Sequence, residues 1–164
     1  MGNNEIETYQ QKKRRLFGRF HSMTKYLEVL GHLLNVTKTR EDIWSIVKSD
    51  NFIEESKTFE WVLLYKDFSS FENKAHLLEI LTKYIEDWNK PYSMFISKSE
   101  DCGLVGISSL HDINWNFSFN DDPDGIICLE RIDHKERIIL DFDMEDNKEL
   151  LEISIYKSLD ESNL

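Results

Sequence analysis

The stretch RIILDFDMEDNKELLEISIYK, residues 137–157, decides the fold class of this chain. Side chains alternate along residues 137–144, with Ile138, Leu140, Phe142 and Met144 on one side and Arg137, Ile139, Asp141 and Asp143 on the other. A period of two is typical of a strand that buries one face. Residues 150–156 follow as a second strand after a short connection, which favours antiparallel pairing of the two.

Further short runs precede this stretch. The pattern predicts strands over residues 92–98, 104–110, 113–120 and 126–132, separated by turns. The connections are too short for the crossovers that parallel pairs require. The C-terminal part therefore predicts an antiparallel β-meander of about six strands.

Before about residue 90 the apolar residues recur at helical spacing. Thr39 suits the N-cap of a short helix over 40–47, and Ser69 or Ser70 suits the cap of a helix that runs to Trp88. The run 51–67 fits a buried strand or a buried helix, and its helical neighbours favour a helix. We therefore predict an α+β fold in one domain, residues 1–164, with a helical half (about residues 4–90) packed on the sheet.

Charge restricts the choice of partner. The chain has 31 acidic and 20 basic side chains, a net of −11, distributed as +5 over residues 1–40, −5 over 41–90 and −11 over 91–164. A field this negative repels nucleic acid and anionic membranes and attracts basic proteins. The alternative is that the charge only keeps the protein soluble.

The two cysteines predict a reducing compartment. The spacing of Cys102 and Cys128 does not match a metal site. A disulfide between them is an alternative only if their strands are neighbours. The N-terminal residues have no apolar core of a signal peptide, and no apolar run approaches the ~20 residues of a membrane span. We expect a cytoplasmic protein.

No motif for catalysis, a metal or a cofactor is complete. Calcium-loop patterns that begin at Asn120 and Asp141 fail where position 12 is Arg131 and position 6 is Asp146. No histidine lies in a zinc motif. The sequence therefore favours a binding protein over an enzyme. The alternative is a small enzyme or divalent-metal domain that uses His111, Asp112 and the acidic loops.

One basic segment contrasts with the acidic remainder. Lys12–Arg15 and Arg19 interleave with Phe17 and Phe20. We interpret this run mainly as the solvated face of an amphipathic helix. It is also the one segment with the composition to touch nucleic acid, although the acidic body opposes such contact.

As a whole the chain resembles the bacterial immunity proteins of contact-dependent growth inhibition and related polymorphic toxin systems. It shares with them a short acidic sequence, helices to about Trp88, and a sheet that ends in IILDFDMEDNKELLEISIYK, residues 138–157. The resemblance implies a cognate toxin domain as partner, often a basic nuclease, whose active site or substrate surface is blocked. It leaves the oligomeric state open.

The residues expected to bind such a partner are mostly acidic, because carboxylates pair with Lys and Arg where substrate phosphates would lie. Trp115 is added as a residue that serves either as core or as an interface anchor. The predicted set is Asp112, Trp115, Asp121, Asp122, Asp124, Asp141, Asp143, Glu145 and Asp146.

Overall fold

A computed structural model describes residues 6–122 and 125–159 and shows the predicted α+β fold. Its helices lie mainly in the N-terminal half and its strands mainly in the C-terminal half. The α-helices are α1 (Tyr9–Phe17), α2 (Met23–Leu33), α3 (Ile46–Ser56), α4 (Lys74–Tyr84) and the single turn α5 (Ser99–Cys102). A π-helical turn, Gly18–Ser22, joins α1 to α2.

Six antiparallel strands form one sheet in the order β1-β6-β5-β4-β2-β3. The strands are β1 (Trp61–Ser70), β2 (Tyr92–Phe95), β3 (Val105–Ile107), β4 (Ile126–Arg131), β5 (Glu136–Glu145) and β6 (Lys148–Ser158). The last three form a meander, as predicted. β5 and β6 are joined at Asp146 and Asn147, both of which have positive φ.

The main core lies on one face of the sheet, which we call the inner face. Ile138 and Leu140 of β5 and Ile153 and Ile155 of β6 are 1% exposed or less on this face. Apolar residues of α2 and α4 cover them and belong to the same buried cluster. Alternation along the strands places the intervening residues on the opposite face, the outer face.

Three local predictions are wrong. Residues 61–70 form strand β1, not a helix, and α4 begins at Lys74 with Asn73 as its N-cap. Residues 113–120 form turns and a 3-10 helix, although Phe117 and Phe119 do reach the core. Pairing of β1 with β6 is a tertiary contact, and it overrides the helical environment of its sequence neighbours.

Gly18 permits a close contact between the N-terminal helix and α5. A Cβ atom at this position would lie 2.0 Å from the carbonyl oxygen of Asp101. The hydrogen bonds there shift to the π pattern, which lets the helix continue past the contact into α2.

Candidate protein-binding site

Among the residues that the structure describes, α3 covers one side of the outer face. Phe52, Ile53 and Ser56 of α3 lie over Cys128 of β4 and Ile139 of β5, and together they line a groove of about 290 Å³. Burial raises the pKa of the Cys128 thiol to about 11, so this groove holds a protonated thiol. Both cysteines are free thiols in the structure.

A buried polar cluster closes one end of the groove. Glu130 accepts hydrogen bonds from the Ser56 hydroxyl (2.7 Å) and the Arg137 Nε (2.9 Å), and its second oxygen pairs with His134 Nδ1. The His134 ring lies between those of Phe52 and Phe59, with centroids 4.4 and 5.0 Å away.

The hydrogen-bonding groups of this cluster pair with one another, because each oxygen of the buried Glu130 carboxylate has a partner. The Arg137 guanidinium also lies 4.1 Å from the centroid of the Trp61 ring. The cluster thus fixes α3 and the start of β1 to the β4–β5 turn, and we interpret it as structural.

The other side of the outer face, on strands β1, β6 and β5, is what we call the open half. It is defined by the outward residues Leu63, Phe68, Tyr156, Glu152, Asp141 and Asp143. Leu63 and Phe68 are 48% and 49% exposed. Leu63 lies opposite Tyr156, and Phe68 lies opposite Glu152, so an apolar and aromatic pair lies at one end of the open half and an aromatic residue meets a carboxylate toward the other.

Like charges gather on the open half. Asp141 pairs in register with Glu152 on the neighbouring strand, and Asp143 lies two residues along its own strand. Partial burial, followed by the charges of Glu152 and Asp143, raises the pKa of Asp141 above its ordinary value. Lys66 provides one cation, 3.6 Å from a Glu152 oxygen. A basic partner would therefore relieve a repulsion that the folded chain retains.

Two of the predicted site residues, Asp141 and Asp143, lie on the open half. Glu145 and Asp146 lie at the exposed β5–β6 turn next to it. These four therefore remain together at one end of the sheet. Asp124 lies outside the residues that the structure describes.

The remaining predicted carboxylates that the structure describes lie elsewhere, and two of them accept hydrogen bonds from nearby backbone N–H groups. Asp112 accepts the Ser108 N–H (3.0 Å), and Asp121 accepts the Ser118 N–H (2.7 Å) and lies 3.9 Å from His32 of α2. Asp122 is buried. The segment that carries Asp121 and Asp122 meets β5 where the Phe142 N–H donates to the Gly125 carbonyl, but Asp121 points to the helical layer. Asp121 therefore does not share a surface with Asp141 and Asp143.

Trp115 is partly buried and packs against the core. Its ring packs 5.8 Å from that of Trp88, and its Nε1 donates to the Leu110 carbonyl at 3.0 Å. The neighbouring His111 lies 5.3 Å from the Trp88 ring. Within residues 6–122 and 125–159, no group of three or more His, Cys, Asp or Glu side chains is placed to hold a metal ion.

The apolar residues of the open half were not predicted from the sequence. Leu63 and Phe68 belong to a run whose pattern fits a helix equally well, and only the pairing of β1 with β6 brings Leu63 beside Tyr156 and Phe68 beside Glu152. The signal available was the run's poor fit to one buried face.

Comparisons of the chain with protein-family models, curated proteins and solved structures found no match. Among the helices of the described residues, none has the length and apolar character needed to cross a membrane. The site is therefore interpreted from its own geometry.

Proposed function

We propose that this protein is a stoichiometric inhibitor of the immunity type, which binds a basic toxin domain through the open half. The observation that carries the proposal is the like-charge pair Asp141–Glu152 beside the half-exposed Phe68, on a face that also exposes Leu63 further along β1. An apolar centre gives a protein interface its binding energy, and complementary charge gives it orientation and a fast association rate.

The chemistry of the open half defines the partner. Carboxylates in a row suit Lys and Arg side chains, which a nuclease carries where it holds substrate phosphates. This protein would inhibit a toxin domain of that kind by covering its substrate surface. It would catalyse no reaction itself. Such a role places the protein in the cytoplasm, where it meets the toxin.

The net charge supports the same partner. A body with a net charge of −11 accelerates its encounter with a basic protein at low ionic strength. The rigid sheet also supports the proposal, because β5 and β6 hold their outward side chains in fixed register and little conformational entropy is lost on binding.

The test is recovery of the partner from the native cells with tagged wild-type protein and with an Asp141→Lys/Asp143→Lys variant. We expect one basic protein at equimolar amount with the wild type, released by high salt, and strongly reduced recovery with the variant. The recovered protein's own activity should cease when the wild-type protein is added. Equal recovery by both proteins, or activity unaffected by binding, would exclude the proposal.

A further inference from the structure

The first helix presents its polar side to the body of the protein. Gln11 Nε2 donates to Asp50 at 2.9 Å, and the Arg14 guanidinium holds the same carboxylate at 2.7 Å. Gly18, one to two turns further on, lies against Asp101 of α5. These contacts fix which side of the helix faces solvent.

The apolar side of that helix faces away from the body. At 100° per residue, Tyr9, Leu16 and Phe20 fall on one line with Phe17 beside it, and we call these four residues the apolar stripe. No residue of α1 is buried, and Tyr9 and Phe20 are 71% and 72% exposed. A helix normally buries its apolar side, whereas the described residues leave this stripe largely exposed.

Cations flank the apolar stripe. Lys12, Lys13 and Arg19 form no ion pair with the residues that the structure describes, whereas Arg15 is held by Glu7 at 2.7 Å. Residues 8–22 contain no acidic side chain. The surface that fits the stripe is therefore apolar and acidic.

The open half has that composition and the right width. A sheet of six strands about 4.8 Å apart is roughly 24 Å wide, and a helix with its side chains is about 10 Å across. Two helices are needed to cover such a face, and α3 is the one described helix that lies on it. The vacancy beside α3 spans β1, β6 and β5, roughly one helix diameter.

We infer that α1 of one copy docks on the open half of a second copy. The apolar stripe would pack on Leu63 and Phe68, and Lys13 and Arg19 would approach Asp141 and Asp143. The two surfaces differ, so the contact is head-to-tail and leaves one free surface of each kind at the ends. At physiological salt the net charges are screened beyond about 8 Å, so the local complementarity decides the contact.

This contact uses the surface of the proposed function but does not depend on it. A second copy and a toxin would compete for the open half, so self-association would be reversed by the toxin. The two ideas are separable, because a change in α1 removes only the contact between copies.

The test is sedimentation velocity of two variants, alone and mixed. The helix variant carries Lys13→Glu, Arg19→Glu and Phe20→Ser, and the sheet variant carries Asp141→Lys and Asp143→Lys. Circular dichroism and thermal unfolding show that each is folded. We expect the wild type to form salt-sensitive oligomers that grow with concentration, and each variant alone to associate at least about tenfold more weakly.

The mixture is decisive. The helix variant keeps its open half and the sheet variant keeps its α1, so an equimolar mixture should form a dimer and stop there. A monomeric wild type at every concentration, or a mixture without dimer, would overturn the inference. A third experiment measures binding to anionic phospholipid vesicles. If the monomeric wild type binds the vesicles and the helix variant does not, the apolar stripe binds a membrane surface, and the inference of a contact between copies is overturned as well. Retained toxin binding by the helix variant would leave the proposed function intact in either case.

Discussion

Asp141 of β5 lies directly opposite Glu152 of β6 on the outer face of the sheet, and the two carboxylates repel one another. Like charges at directly opposed positions of antiparallel strands destabilise a sheet by a few tenths of a kcal/mol to about 1 kcal/mol. We therefore expect Asp141→Asn to stabilise the fold by about 0.5 kcal/mol at pH 7. Chemical denaturation measures the change, and Asp143→Asn, which lies opposite Leu150, should give less.

This stabilisation should depend on pH with a definite sign. Because the folded-state pKa of Asp141 is raised, protonation is favoured by folding, and the wild type loses that stability as pH rises through the raised pKa. The advantage of Asp141→Asn is thus full at neutral pH and absent below the ordinary value of 3.8. An advantage that persists unchanged at pH 3 would show that the variant acts by another cause.

Partner binding should weaken in acid. A cation placed beside Asp141 lowers its pKa, so the complex binds fewer protons than the free protein. We expect the affinity to fall as pH is lowered from neutral toward about 4, and Asp141→Asn to flatten that dependence. Calorimetric titrations in buffers of different ionisation enthalpy would also detect the released protons.

Substitution by alanine should change stability with opposite sign at Gly18 of the π-helical turn and at Gly31 of α2. A Cβ at Gly18 meets the Asp101 carbonyl at 2.0 Å, whereas one at Gly31 meets no atom within 4 Å. Gly18→Ala should destabilise by about 1–3 kcal/mol through overpacking. Gly31→Ala should stabilise by about 0.5–1 kcal/mol through helix propensity. Thermal unfolding of both variants checks the contrast, and a neutral Gly18→Ala would show that α1 is not held against α5.

Substitution of the buried Glu130 should destabilise the fold far more than substitution of an exposed glutamate. Glu130→Leu leaves Arg137 and His134 without their shared carboxylate, and loss of one member of a buried ion pair costs about 3–5 kcal/mol. Glu54→Leu breaks only the exposed pair with Lys57, which contributes about 0–1 kcal/mol. Similar unfolding midpoints for the two variants would refute the structural role of the cluster.

The parts of the fold that were predictable are those whose pattern reflects one buried face. β5 and β6 alternate because Ile138, Leu140, Ile153 and Ile155 all meet the core. β1 does not alternate, since it is an edge strand with exposed Leu63 and Phe68 and a register shift between Leu63 and Tyr65. Its identity as a strand comes from pairing with β6, whose paired residues lie 80 or more positions further along the chain.

Of the candidate site, only the acidic residues could be predicted from the sequence. Asp141 and Asp143 follow from the alternation of β5, but the separation of Asp121 from them depends on which layer each loop joins. The apparent strand at 113–120 failed because its alternating aromatic residues sit on turns, where Trp115 packs on Trp88. The amphipathic pattern identified the polar and apolar sides of α1, but it did not show which side packs against the rest of the protein.

Binding at the open half is tested by the association rate constant of the isolated partner with three proteins: wild type, Asp141→Lys/Asp143→Lys, and the control Glu79→Lys/Glu86→Lys. The control makes the same change of charge at exposed positions in and just after α4, away from the open half. We expect a steep, salt-sensitive loss of rate and affinity for the first variant and a small, purely long-range loss of rate for the control. Equal effects of the two variants would show that the partner responds only to net charge, and would contradict binding at the open half.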